Sequence, residues 1–355
     1  IGVDVFFILS GYVITQAIFK NSKNNFDLFE YFLRRFKRLY PNLIIFLIFF
    51  NLIFFLFLPI DDGTYTNTIL STITSILGLS NLYYILNPNL GYFIDSIKWL
   101  HHTWSLSVEI QFYIFYGIVI SLIFNIKKFL DINIKNTLTF LLILGTIISF
   151  YLFIFSTGKF FSNYYFTINR FWEFFLGALI YLLVLKKYQN LKEINFLYLV
   201  FSFVIILSLI SFSELEISYK VIIPILILPF FFILINGVSL KINIINNFFK
   251  FYGNISYSFF LWHLPVISFL KMNTDKVFII FFITFSFTTL ISYLSYRFIE
   301  LKFNKKTNFD NIYKKSIKVF SLILIVLLFA MVNNKQLIYK FRDGLFQNMI
   351  KIYTK

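Results

Sequence analysis

Residues 277–297 read VFIIFFITFSFTTLISYLSYR, with no charged side chain between Lys276 and Arg297. The hydrocarbon core of a bilayer takes about 20 predominantly apolar residues as a helix. Within lipid, a helix lets one segment satisfy all its own backbone polar groups. The stretch therefore reads as a transmembrane helix. Runs of the same character cover residues 2–19, 40–58, 104–124, 138–155, 169–185, 196–212, 219–236, 254–270 and 316–332. Residues 69–86 form a weaker one, diluted by Ser71, Thr72, Thr74, Ser75, Ser80 and Asn81. The expected fold class is all-α: a polytopic integral membrane helical bundle with about ten transmembrane helices.

Composition points the same way. The 355 residues are 59% hydrophobic and only 14% charged, too little polar surface to cover a soluble fold of this length. There are no cysteines, which excludes disulfides and thiolate metal sites. The three histidines, His101, His102 and His263, lack the spacing of a zinc site, and no metal is expected. A formal charge of +16 could suggest nucleic acid, but the basic residues sit between apolar runs and not on one soluble face. The expected surroundings are membrane lipid, with no nucleic-acid partner.

Loop charge sets the topology. Lys20, Lys23, Arg34, Arg35, Lys37 and Arg38 mark residues 20–39 as cytoplasmic, whereas Asp61, Asp62 and Asp95 mark the next long loop as outside. Lys127, Lys128 and Lys135 return the chain to the cytoplasm. This alternation requires residues 69–86 to be interfacial or re-entrant. It continues with Lys186, Lys187 and Lys192 inside, Glu214 and Glu216 outside, and the basic stretch 302–318 inside. Lys355 is then expected to be extracytoplasmic. One membrane domain over residues 1–303 would be followed by a cytoplasmic linker, a final helix and a tail over 304–355.

Charged residues inside lipid are costly unless paired or facing a cavity, so they are the informative ones. Asp4, in the stretch from Gly2 to Tyr12, suits a helix lining a polar cavity; it also suits an interfacial acid at a helix N-terminus. Arg34, Arg35 and Arg38 stand at the cytoplasmic entrance of a span. They read either as a bidentate grip on phosphates or as topology anchors. His102, Ser105, Ser107, Glu109 and Gln111 make a dense polar stretch, serving chemistry or a hydrogen-bonded helix interface. His263 lies mid-span, as a functional group or as a core histidine bonded to a backbone carbonyl. Arg170 with Glu173, and Arg297 with Glu300, are spaced i, i+3 as ion pairs.

In their order along the chain, residues 2–15, 34–41, 102–113, 170–177, 255–265 and 294–300 resemble the membrane-bound O-acyltransferases of acyltransferase family 3. The resemblance spans nearly the whole chain. It implies transfer of an acyl group, usually acetyl, from cytoplasmic acyl-coenzyme A to a sugar of a surface polysaccharide, lipopolysaccharide or peptidoglycan. Asp4 falls on the family's acid. Arg35 and Arg38 match an Arg-x-x-Arg element for the acyl-coenzyme A donor, and Ser105, Ser107 and Glu109 match its Trp-Ser-Leu-Ser-Val-Glu helix. Ile110 stands where a second Glu is frequent. The candidate catalytic residues are therefore Asp4, Ser107, Glu109 and His263, with Arg35 and Arg38 holding the donor.

The family also carries a helix before the Gly-Val-Asp segment, bearing a basic residue and a histidine read as the general base. The chain as given is expected to lack that base and to be inactive alone. A last helix followed by residues 336–344 resembles members fused to an SGNH-type extracytoplasmic domain. The implied location is a bacterial inner membrane, and the acceptor a carbohydrate. A non-enzymatic alternative is a transporter or flippase using the same buried charges as a pathway, although no inverted repeat supports it.

Overall fold

The computed structural model describes residues 2–21, 25–57, 62–87, 90, 99–130, 132–155, 164–184 and 243–304. Every regular element among them is helical. The order is α1 (Gly2–Asn21), α2 (Leu28–Phe57), α3 (Asp62–Leu77), α4 (Ser80–Leu86), α5 (Thr103–Ile126), α6 (Ile134–Phe155) and α7 (Thr167–Leu179). A π-helical turn, Ile180–Val184, closes α7. Then come α8 (Asn243–Lys271), α9 (Val277–Ser295), a second π turn (Tyr296–Glu300) and the short α10 (Leu301–Asn304). The spans read at 196–212, 219–236 and 316–332, and the tail to Lys355, lie outside the described residues.

Among the described residues, five helices are long and apolar enough to cross a bilayer: Gly2–Lys20, Leu28–Phe54, Thr103–Ile126, Ile134–Phe155 and Val277–Phe303. Their outward faces carry large apolar side chains, with Phe278 80% and Phe281 67% exposed. Water would not tolerate that surface, and lipid does. The protein is an integral membrane protein.

The diluted segment at 69–86 folds as two short helices. The α3 helix ends in a Schellman motif, with Leu79 N–H bonded to the Thr74 carbonyl at 2.8 Å and Gly78 N–H to Ser75 at 3.2 Å. The motif needs a left-handed residue, and Gly78 supplies it at φ 68°. At about 1.5 Å per residue, neither piece reaches across a core of about 30 Å. Hydroxyls that would be costly toward lipid are turned inward: Thr68, Ser71, Thr72 and Ser75 are all buried.

The chain forms two compact units, Ile1–Leu33 with Ser105–Tyr252, and Arg34–Trp104 with Gly253–Lys355. In the first unit α7 packs on both α1 and α6. The α1–α7 crossing is a backbone contact, since a Cβ on Gly11 would overlap the Phe174 carbonyl and one on Gly177 would overlap the Ile8 carbonyl. Glycine at both positions allows this approach, which drives helix association where lipid supplies no hydrophobic force. Phe7, Phe174 and Phe112 stack in a column, at centroid distances of 4.6 and 4.2 Å. The Ser149 hydroxyl joins α6 to α7, donating to the Ile168 carbonyl at 2.5 Å and accepting from Trp172 N–H at 2.9 Å.

In the second unit Pro41 interrupts the hydrogen-bond ladder of α2. Beside it the Tyr257 hydroxyl of α8 donates to the Leu39 carbonyl at 2.8 Å. Higher on α2, Phe46 packs edge-on against Trp262 at 4.9 Å.

Candidate active site

Among the described residues, the first unit holds two buried polar groups. In one, the Arg170 guanidinium of α7 bonds the Asp4 carboxylate of α1 and lies 3.2 Å from Glu173. All three side chains are fully buried. The ring of Tyr164 lies 4.7 Å from the guanidinium, with Phe7 at 5.6 Å and Phe153 at 5.7 Å. An arginine suits this place because its planar, weakly hydrated cation bonds in plane and stacks on rings above and below. The i, i+3 pairing of Arg170 with Glu173 is as the spacing anticipates, and the long-range partner, Asp4, is what spacing could not show. Asp4 thus sits at the helix N-terminus, in an ion cluster.

The other group centres on Glu109 in α5. Its carboxylate accepts hydrogen bonds from the Ser10 hydroxyl of α1 and from the Tyr113 hydroxyl one turn along α5. Below it the Thr15 hydroxyl and the Tyr116 hydroxyl lie 2.9 Å apart, and Tyr31 donates to the Tyr113 carbonyl at 3.1 Å. The Thr167 hydroxyl reaches the Gln111 side chain. Ser107 is buried on the same helix. Glu109 is thus a carboxylate 1% exposed and held by two hydroxyls, in a form that can accept a proton or orient a neighbouring donor.

The second unit holds His263, Arg35 and Arg38. His263 Nδ1 lies 2.6 Å from the Phe260 carbonyl. A carbonyl can only accept, so Nδ1 carries a proton, and in the neutral ring Nε2 then keeps its lone pair. The backbone bond of the bland reading is therefore present, and it presets the tautomer a proton acceptor needs. The His102 ring lies edge-on at 5.4 Å, with Phe46 and Phe260 around it. Beside this level an apolar cavity of about 380 Å³ is lined by Phe50, Phe54, Trp99, Trp262, Phe269 and Phe287, among others.

Arg297 and Glu300 do not form the ion pair their spacing suggests. Arg297 bonds the Tyr293 hydroxyl at 3.3 Å. Glu300 accepts from Asn42 Nδ2 at 2.7 Å and from the Ser258 hydroxyl. Asn42 also donates to the Ser258 oxygen at 2.8 Å, and its own carbonyl accepts from Ser295 at 2.5 Å. Asn42 is the residue that sequence reading passed over. Its signal was present, as an amide directly after the Arg-x-x-Arg-x-x-Pro stretch at the start of an apolar span.

The acyltransferase-domain family model, that of acyltransferase family 3, matches residues 1–297. The chain belongs to acyltransferase family 3. Membership is the ground for preferring an enzyme to the transporter or flippase alternative. A Staphylococcus aureus (strain COL) protein provisionally named an O-acetyltransferase is 30% identical over 338 aligned residues, covering 86% of this chain and 53% of that protein. The O-acetyltransferase OatA of S. aureus (strain NCTC 8325) is 31% identical over 333 residues, with the same coverages. The acyltransferase chain thus spans about half the length of these relatives. No solved structure matches it significantly.

Proposed function

We propose that the protein transfers an acetyl group from cytoplasmic acetyl-coenzyme A to a hydroxyl of a cell-surface or exported glycan. The family match over residues 1–297 carries the acyl-transfer part, and the relatives named O-acetyltransferase favour acetyl and an oxygen acceptor. Arg35 and Arg38 hold the donor's phosphates, for which guanidinium forks are suited. The sugar hydroxyl gives up its proton, and its oxygen attacks the thioester carbonyl. The new C–O ester bond forms, the C–S bond breaks, and the coenzyme leaves as thiolate and takes a proton. His263, with Nε2 open as an acceptor, receives or passes on the hydroxyl proton. Glu109 orients the proton-carrying groups around it through Ser10 and Tyr113, with Ser107 on the same helix, and the acid Asp4 fixes α1 beside them.

The same reading places the protein in a bacterial inner membrane. Residues 1–303 form the transferase domain, and 304–355 the cytoplasmic linker, last helix and extracytoplasmic tail.

The test is transfer of labelled acetyl from acetyl-coenzyme A to glycan in membranes from cells expressing the full-length gene product, normalised to folded protein; the variants here and below are made in that protein. Arg35→Ala combined with Arg38→Ala is expected to raise the apparent donor KM about tenfold or more, with folding intact. An unchanged donor KM in folded protein reduces both arginines to topology anchors. Absence of any label on glycan, with the lipid fraction labelled instead, overturns the acceptor assignment.

A further inference from the structure

The polar knot around Asn42 has no place in the acid–base chemistry, yet it lies on the helix that carries the donor-binding arginines. Arg35, Arg38 and Asn42 follow one another at i, i+3 and i+7, on one face of α2. Asn42 is 1% exposed and Ser258 fully buried. Three helical elements meet there: α2 through Asn42, α8 through Ser258, and the end of α9 through Ser295 and Glu300.

The second π turn explains how one amide can reach both Ser295 and Glu300. In a continuous α-helix, residues five apart point about 140° away from each other. In a π turn the backbone bonds run i to i+5, so residues five apart stand on nearly the same face. Tyr296–Glu300 is such a turn. It brings Glu300 round beneath Ser295, so that the Asn42 carbonyl takes the Ser295 hydroxyl while its amide nitrogen serves the Glu300 carboxylate. The same widening turns Glu300 away from Arg297. Arg38, one turn before Asn42, acts electrostatically on the Glu300 carboxylate.

We infer that Glu300 is a positioning residue for the donor: through Asn42 and Ser258 it locks the rotation of α2 about its axis, so that Arg35 and Arg38 present their guanidinium groups to the donor's phosphates. This rests on the assignment of those arginines to the acyl-coenzyme A donor. Glu300 touches neither donor nor acceptor. Its influence is confined to donor affinity, and a π turn that would be an idle irregularity in a plain spanning helix acquires a purpose.

The experiment is a double-mutant cycle on acetyl transfer in membranes, with donor concentration varied at saturating acceptor. Glu300→Ala removes both accepted bonds and is expected to raise the donor KM about tenfold, leaving acceptor KM and kcat near the parent values. Glu300→Gln keeps an acceptor oxygen for Asn42 and Ser258 and loses only the charge, so its donor KM should rise about threefold or less. In an Arg38→Ala background, Glu300→Ala should add little further, because the group it positions is gone. If Arg38→Ala alone leaves the donor KM unchanged, the donor-binding assignment fails. If Arg38→Ala raises the donor KM but Glu300→Ala adds its full effect on top, or lowers kcat and thermal stability at constant donor KM, the positioning role is overturned. Should Glu300→Ala not accumulate as folded protein, Ser258→Ala, which removes one donor to Glu300 and one acceptor for Asn42, carries the same cycle and should raise the donor KM severalfold with kcat held. A Glu300→Gln variant as impaired as the arginine variant contradicts the proposal, as does a folded Ser258→Ala variant with parental donor KM.

Discussion

The most exacting residue in the first unit is Arg170, a cation buried fully between two carboxylates and three aromatic rings. Burying an ion is tolerable here only because the partners are complete. Removing the guanidinium leaves Asp4 and Glu173 as facing, uncompensated acids. Arg170→Ala is therefore expected to cost about 3–5 kcal/mol and to abolish folded protein in detergent. Asp4→Asn should be far milder, since Glu173 still answers the cation. Thermal unfolding followed by size-exclusion would show the contrast, and an Arg170→Ala protein melting where the parent does would refute the structural role. Glu109 calls for the opposite outcome. Glu109→Gln keeps the shape and still accepts from Ser10 and Tyr113, so the melting temperature should hold while acetyl transfer falls about a hundredfold. Unimpaired turnover, or a loss of stability that accounts for the lost activity, removes Glu109 from the chemistry.

Among the elements, the α1–α7 crossing is governed by Gly11 and Gly177. Each faces the other helix's backbone so closely that a methyl group requires the helices to separate. Overpacking of this kind costs about 1–3 kcal/mol. It also pulls Asp4 from Arg170, since both lie on this interface. Gly177→Ala should lower the melting temperature, whereas Gly253→Ala, with nothing within 4 Å of the added carbon, should be neutral or slightly stabilising. Equal melting temperatures for the two variants would mean that the crossing is not held by backbone contact. The α3–α4 break depends on a different property of glycine, the positive φ of Gly78, and that need is conformational and not steric.

For the molecule as a whole, the topology is the property with a direct assay, because the sequence is free of cysteine and any single one introduced reports alone. The alternation of Lys and Arg places the loop at Lys128 in the cytoplasm and that at Asp275 outside. Both positions are exposed. In intact cells an impermeant maleimide should label Asp275→Cys and spare Lys128→Cys until the membrane is permeabilised. Labelling in the reverse order inverts the whole orientation, including that proposed for Lys355.

Membrane class, helical fold, the five long apolar helices among the described residues and membership of the acyltransferase family were legible in the sequence. Each depends on quantities that accumulate locally along the chain: hydropathy over about 20 residues, loop charge, and short motifs in fixed order. The candidates Asp4, Glu109, His263, Arg35 and Arg38 were legible for the same reason, since a charge or a histidine in an apolar run declares itself. Their partners were not. Asp4 meets Arg170 across 166 positions and Asn42 meets Glu300 across 258. Such pairings depend on how each helix is rotated about its own axis and how closely two backbones approach. The i, i+3 rule held for Arg170 and Glu173, on a regular α-helix. It failed for Arg297 and Glu300, because a π turn shifts the angular position of every residue beyond it, and only the packed structure decides where such a turn forms.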